Sequence, residues 1–375
     1  MNKKYFCHDI HSSLNIKWGK DGWRASPCCF TGKISSLIDL DKKNWFTELW
    51  PQLRKDNVNN QPLDPIICRM CIDDETVGKQ SRRLGEIVKR GQTVAHSCVG
   101  PKYIEISIDY TCNQACMICD AGASSLWRKY TDTTIQGNSP IASDQDIEKL
   151  LENIDLTQLD SVRIIGGEPL LTDKHTKFLN FLEKKGSNLS NIELWYHTNG
   201  SCRVNEDTLG LWKKFKLVFL YFSLDDIGQA FNYQRYPGDW KAVTDNMHWF
   251  REHVSANVLL RVERTVSLLN AHRLLEVEQW KKQNFSSTKF DYQIEMNTHM
   301  AFGSVLKISN ISDKHLIFLK NDDKNYKQLL KFYPINDIQI NNKNSSKVLE
   351  FVRNQDERRN ISISSYFPEF YSMYQ

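Results

Sequence analysis

Of the ten cysteines in this 375-residue chain, three stand close together, in Tyr110-Thr111-Cys112-Asn113-Gln114-Ala115-Cys116-Met117-Ile118-Cys119-Asp120. Thiolates are soft ligands that suit iron–sulfur clusters or zinc. Three on one loop can cap three corners of a cubane and leave its fourth iron open, and an open coordination position is what metal-based catalysis requires. The same spacing also fits a structural zinc site lacking its fourth ligand, or simply small buried side chains. A second set lies nearer the N-terminus. Cys68-Arg69-Met70-Cys71 is a metal-ligand pair needing two further ligands, and Cys7 and the Cys28-Cys29 pair are available. Four thiolates would saturate a zinc ion or a fully ligated cluster. Cys98 and Cys202 stand alone and read as small buried side chains.

The start, Met1-Asn2-Lys3-Lys4, runs into charge at once and offers no signal-peptide core, which points to the cytoplasm. There thiols stay reduced, so clustered cysteines suggest metal or redox chemistry before disulfides. The longest apolar stretch, Phe215 to Leu224, includes Lys216 and is too short for a membrane span, so a buried strand is expected. A net charge of +4 gives no footprint for nucleic acid. The densest basic stretch, Lys79 to Arg90, has the spacing of a solvated helix face. The ten tryptophans are spread along the chain, as core and interface anchors rather than base-stacking platforms.

Positioning the cysteines falls to the elements around them. Residues 1–97 are cysteine-bearing, irregular and rich in turn formers, such as Gly19-Lys20-Asp21-Gly22. From about residue 100, apolar runs expected as strands (Tyr103–Ile108, Ser161–Ile165, Ile192–His197, Leu217–Leu224, Val258–Ser267, Phe290–Met296) alternate with helix-length segments. The helices are expected at Cys116–Lys129, Asp144–Ile154, Lys174–Lys185, Asp207–Phe215 and Trp240–His253. This alternation means βαβ units. Six units fall short of the eight of a closed barrel. The expected fold is therefore α/β, a partial (β/α)6 TIM-like barrel, with an open doubly wound sheet as the alternative that the residues alone allow. Domains are expected at 1–97 (Cys-rich), 98–300 (barrel) and 301–375 (a helical extension of one or two helices).

The three-cysteine loop follows the first strand, at the end where βα enzymes place active sites. C-x3-C-x-Φ-C, with Ile118 as the apolar Φ, resembles the signature of the radical S-adenosylmethionine (radical SAM) superfamily. The resemblance implies that Cys112, Cys116 and Cys119 hold a [4Fe–4S] cluster whose open iron binds SAM, with Ile118 near the adenine. Gly166-Gly167-Glu168-Pro169, after the second strand, resembles the motif that receives the SAM amino group; glycines admit close backbone approach and a carboxylate pairs with an ammonium. Thr198-Asn199-Gly200 and Ser223-Leu224-Asp225 end the third and fourth strands and resemble the elements beside the ribose and carboxylate of SAM. The usual glycine after the latter is Asp226 here. Arg235 stands where the family often carries an arginine for the SAM carboxylate; a surface salt bridge is the other use for it. Arg261, Glu263 and Thr265 alternate along the fifth strand as substrate-pocket candidates.

Cys7 with Asp21-Gly22 to Pro27-Cys28-Cys29 resembles a half-motif of SPASM and twitch domains, displaced to the N-terminal side. Glu75, Ser81 and Arg82, and Phe367-Pro368-Glu369-Phe370, fit that resemblance. It implies an auxiliary [4Fe–4S] cluster held by Cys7, Cys28, Cys68 and Cys71, with Cys29 the alternative to Cys28; structural zinc is the competing occupant. The implied enzyme is an oxidoreductase using two [4Fe–4S] clusters and SAM, reduced by a flavodoxin or ferredoxin. It cleaves SAM to a 5′-deoxyadenosyl radical that abstracts hydrogen from a peptide, protein or small-molecule carbon. Dehydrogenation, epimerisation (with Cys202 as a conceivable hydrogen donor) and bond formation are all open outcomes. The contrasting class is a non-enzymatic protein with two Cys-ligated zinc sites.

Overall fold

A computed structural model describes residues 4–29, 31, 36–76, 78, 80–91, 99–131, 141–285, 295–300, 305–332 and 341–375. Among the described residues nine strands are formed: β1 Ser13–Gly19, β2 Gly22–Ser26, β3 Ser36–Leu37, β4 Tyr103–Ser107, β5 Ser161–Ile165, β6 Glu193–Thr198, β7 Leu217–Ser223, β8 Val258–Val266 and β9 Glu295–Met300. Their hydrogen-bonded order is β3-β2-β1-β4-β5-β6-β7-β8-β9. The pairs β1·β4, β4·β5, β5·β6 and β8·β9 are parallel, while β2 pairs antiparallel with β1 and β3. From β4 onward six strands alternate with helices, the connectivity of a partial (β/α)6 TIM-like barrel. The expectation for the sixth strand sits a few residues early, and its residues 290–294, like Cys98, lie outside the described residues.

Contacts divide the chain into two compact units. One comprises Met1–Asp109, Asn138–Tyr196 and Gly210–Val218; the other comprises Tyr110–Gly137, His197–Leu209 and Phe219–Gln375. In the first, the period-2 alternation of parallel strands sets up two rows. Ile104, Val162 and Leu194 are in register across β4, β5 and β6 and are buried. Ile147, Leu150 and Leu151 of the helix Asp144–Glu152 and Phe178, Leu179 and Leu182 of the helix Lys174–Lys184 are buried in the same unit. Asn15, Glu105, Arg163 and Trp195 form the intervening row across β1, β4, β5 and β6. The N-terminal region has more regular structure than its turn-rich sequence advertises. Gly19-Lys20-Asp21-Gly22 is a hairpin turn, with Gly22 at φ +116°, and buried Leu14, Ile16, Trp23 and Ala25 hold the strands on either side of it.

The second unit contains β8, β9 and the C-terminal helices Asp313–Asn321, Asp323–Phe332, Ser345–Arg359 and Phe370–Tyr374, more than the one or two expected. Their core joins Leu319, Leu329, Val348, Val352, Ile363 and Phe370 to Val266, Leu268, Tyr233 and Met117. Phe222 of β7 is fully buried, 5.7 Å from Phe250, and bears on the turn at Gly200, where an added Cβ would lie 3.1 Å from its ring. Phe222→Ala is expected to cost about 3–5 kcal/mol in denaturant unfolding.

Two buried histidines give the chain an acid limit. Burial pushes His175 down to about 4 and His315 to about 3, and each hydrogen-bonds a tyrosine hydroxyl, Tyr196 at 2.9 Å and Tyr374 at 2.8 Å. Unfolded histidine titrates near 6.5 (roughly). The folded chain therefore binds fewer protons below that value. Stability is complete above it and falls as pH drops through about 6.5 toward 4, by up to about 1.4 kcal/mol per pH unit per histidine. Denaturation midpoints at several pH values check this, and His315→Asn should flatten the slope.

Candidate active site

The cysteine loop leaves β4 and does not enter a helix at Cys116, as its sequence suggests. The helix begins at Ser125, capped by the Ser124 hydroxyl accepting from the Trp127 amide at 3.3 Å. The intervening backbone is spent elsewhere. Ala115 N–H donates to the Tyr236 carbonyl at 2.6 Å and Met117 N–H to the Gln234 carbonyl at 2.8 Å. Ser125 Oγ accepts from the Cys112 amide at 3.0 Å, and the Trp127 indole donates to the Cys116 carbonyl at 2.9 Å. So held, Cys112, Cys116 and Cys119 lie near enough that a charge on any one bears on the others. Cys116 is buried, and Cys112, Cys119 and Ile118 are half-buried.

Burial pushes the Cys116 thiol well up and the Cys119 thiol to about 11, while Arg235 acts in the opposite direction on both. Arg235 is itself 8% exposed, so it is no surface salt bridge. It pairs with Asp225 at 2.9 Å, and its Nη1 lies 3.9 Å from the Cys116 sulfur. Asp225 also accepts from the Thr265 amide at 3.2 Å. Asp226, in place of the glycine, is fully buried. It accepts from Gln234 at 3.0 Å, Arg273 at 2.9 Å and the Ile227 amide, against the desolvation that pushes its carboxyl up.

Asn199 donates to Asn113 of the cysteine loop at 2.9 Å, and Thr198 Oγ1 accepts from the Gly200 amide at 3.1 Å. Ser223 is half-buried at the end of β7. Arg261, Glu263 and Thr265 share the half-buried parity of β8, whereas Arg264 is fully buried and donates to the carbonyls of Asp225 at 2.9 Å and Asn270 at 3.2 Å. In the first unit, an added Cβ on Gly166 (φ +152°) would sit 2.3 Å from the Asp109 carbonyl, so only glycine fits. Gly167 N–H donates to that carbonyl at 3.1 Å, and the buried Glu168 carboxylate accepts from the Leu170 amide at 3.0 Å. Cys202, half-buried, lies 3.4 Å from the Ser201 hydroxyl.

Residues 106–262 match the family model of the radical SAM superfamily. The chain carries a radical SAM domain. Among solved structures it is similar to native anSMEcpe with bound AdoMet (14% identity over 70% of this chain and 63% of that one, TM-score 0.41). It is also similar to Streptococcus suis SuiB bound to precursor peptide SuiA (14% identity, 87% and 70%, TM-score 0.40). The chain thus spans less than two thirds of anSMEcpe. No curated protein matches it.

Two features escape a reading of the sequence. Arg359, at the end of the helix Ser345–Arg359 and 1% exposed, donates to the carbonyls of Tyr233 at 3.0 Å and Ala115 at 3.4 Å. It also meets the Met117 thioether, and its guanidinium sits 5.0 Å from the Tyr233 ring and 5.8 Å from that of Trp127. His197 bonds the Glu263 carboxylate through Nδ1 and stacks on Tyr221 at 5.1 Å; its buried Nε2 has no partner among the described residues.

Four of the N-terminal cysteines converge on one pocket. Asn57 accepts from the Cys7 amide at 3.2 Å, Cys28 follows β2, and Cys68 and Cys71 sit one turn apart at the start of the helix Arg69–Thr76. Cys7, Cys28, Cys68 and Cys71 line one pocket with Arg82 and Arg83. Cys29 instead feels Arg82, Glu105 and Arg163. The expected solvated face over Lys79–Arg90 is corrected at these arginines. Arg82 pairs with Asp9 at 2.6 Å, and Arg83, 5% exposed, bonds Glu75 at 3.0 Å and the Phe6 carbonyl at 2.9 Å. Burial raises Cys68 to about 11 and pushes Cys7 and Cys71 up as well.

Both donor sets fit an anionic, thiolate-ligated group. Ligation deprotonates a thiol, and the buried arginines beside these sulfurs compensate the charge that results. Arg359→Met should strand the loop's acceptors, lowering unfolding stability by about 3–5 kcal/mol and the iron retained by the loop cysteines. Arg359→Lys, which keeps the charge without the fork, should fall between. Denaturant titration and iron per chain measure both effects.

Proposed function

We propose that this chain is a radical SAM oxidoreductase in which Cys112, Cys116 and Cys119 hold the SAM-binding [4Fe–4S] cluster and Cys7, Cys28, Cys68 and Cys71 hold an auxiliary one. The observation that carries the two-cluster reading is the convergence of four cysteines from three separate segments on one pocket, with Cys28 rather than Cys29 lining it. Among the described residues no three His, Cys, Asp or Glu side chains form a group suited to a single metal ion.

When bound and reduced by a flavodoxin or ferredoxin, the loop cluster supplies the electron that cleaves SAM, and the resulting radical takes hydrogen from a peptide, protein or metabolite carbon. The chain's own part is to hold and orient. Arg235 and Asp225 place a compensated charge beside Cys116, and Asn199 ties its turn to the cysteine loop through Asn113. Ile118, half-buried, would pack against SAM. On the half-buried side of β8, Arg261, Glu263 and Thr265 are the substrate contacts. His197, held by Glu263, moves a proton at Nε2 when the substrate's oxidation releases one.

Anaerobic reconstitution with iron, sulfide, SAM and dithionite is the test. The native chain should bind about eight irons, if each cluster is a cubane, and form 5′-deoxyadenosine. Changing Cys112, Cys116 and Cys119 to Ala should leave about four irons and no cleavage. Changing Cys7, Cys28, Cys68 and Cys71 to Ala should also leave about four, with cleavage retained. Zinc taken up in place of iron, with no 5′-deoxyadenosine, would refute the reading.

A further inference from the structure

Resting on the reading that Cys112, Cys116 and Cys119 hold a cluster, we propose that Gln114 sets the cluster's reduction potential by donating a side-chain N–H to the Cys116 sulfur. Gln114 lies between two of the ligands and is 1% exposed. Its Oε1 stands 3.6 Å from the Cys116 sulfur, where it accepts from the thiol. Its Nε2 is buried with no partner among the described residues, and an added Cβ on Gly238 would lie only 3.0 Å from it. The backbone cannot relieve this. The Gln114 carbonyl is taken by the Ser124 hydroxyl at 2.7 Å, and the neighbouring Ala115 amide by Tyr236.

A buried amide with one end orphaned is costly, and the end that is satisfied, at the Cys116 thiol, is the one that ligation changes. Once Cys116 is a thiolate it has no proton to give, and Oε1 would face a negative sulfur. Turning the amide over keeps its shape and brings an N–H to that sulfur, since the oxygen and nitrogen of the group are near-isosteric. Cys116 then receives two donors, Gln114 Nε2 and Arg235 Nη1, the latter already 3.9 Å away. Such bonds stabilise the more electron-rich state of a cluster and raise its potential. Arg235 is partly compensated by Asp225 at 2.9 Å, so the uncharged amide is the donor whose effect can be removed without uncovering a buried carboxylate.

Full-length protein is reconstituted anaerobically as Gln114→Met and Gln114→Leu. The midpoint is followed by EPR redox titration of the signal that vanishes when Cys112, Cys116 and Cys119 are Ala. The expected result is a lower midpoint in both variants, with iron content and melting temperature retained. An unchanged midpoint at full iron overturns the proposal, and so does loss of iron from a folded variant, since Gln114 would then hold the loop rather than set its potential. In the unaltered protein, 15N-labelled glutamine side chains should give a nitrogen coupling to the reduced cluster, and its absence overturns the proposal even if neither variant folds. A native chain with no signal assignable to the three cysteines would overturn the cluster reading itself, a separate outcome.

Discussion

A loop that gathers three cysteines outside any helix or sheet leaves its backbone to be satisfied elsewhere, and buried backbone groups without partners are costly. Here the partners are borrowed. The amides of Ala115 and Met117 are satisfied by the segment that carries Arg235, and the carbonyl of Ala115 by the guanidinium of Arg359. Arg359 comes from a C-terminal helix whose apolar face packs with Met117 and Tyr233 in one core. The C-terminal helices are thus bound to the loop's conformation. A change that loosens the end of the helix Ser345–Arg359 reaches the cysteines through hydrogen bonds rather than through the chain.

Charge compensation follows the same pattern. Arg235, Asp225, Asp226 and Arg264 are each nearly inaccessible, and each is met by at least two partners. Burying an ion pair brings little net stability, because desolvation offsets the attraction. Its value lies in specifying one arrangement, and removing one member strands the other. The replacement of the motif's glycine by Asp226 shows the cost being met: an aspartate at that turn is admitted because Arg273, Gln234 and the Ile227 amide all converge on it.

The N-terminal site obeys the rule with different residues. Asn57 fixes the backbone at Cys7, the Asp64 carboxylate accepts from the Ile66 and Ile67 amides just before Cys68, and Arg83 ties Glu75 on the helix Arg69–Thr76 to the carbonyl of Phe6. Four thiols from three segments line one pocket, and polar side chains fix the backbone beside Cys7 and Cys68.

Chemistry that rests on local spacing was legible in the sequence. The loop Cys112 to Cys119, the motifs at Gly166, Thr198 and Ser223, and the alternation of apolar runs each involve residues a few positions apart, and together they carry the resemblance to the radical SAM superfamily. The hairpin around Gly19–Gly22 showed there only as turn formers, since β1 is also held by pairing with the distant β4. Partnership over long separations left no such trace. Arg359 meets Ala115 across 244 positions in a polar segment with no motif. Nothing in Cys28-Cys29 says which sulfur lines the pocket, because a one-residue step reverses the side-chain direction. Spacing along the chain records which atoms could bind a metal; only the packed fold decides which of them meet, and which buried charges and amides surround them when they do.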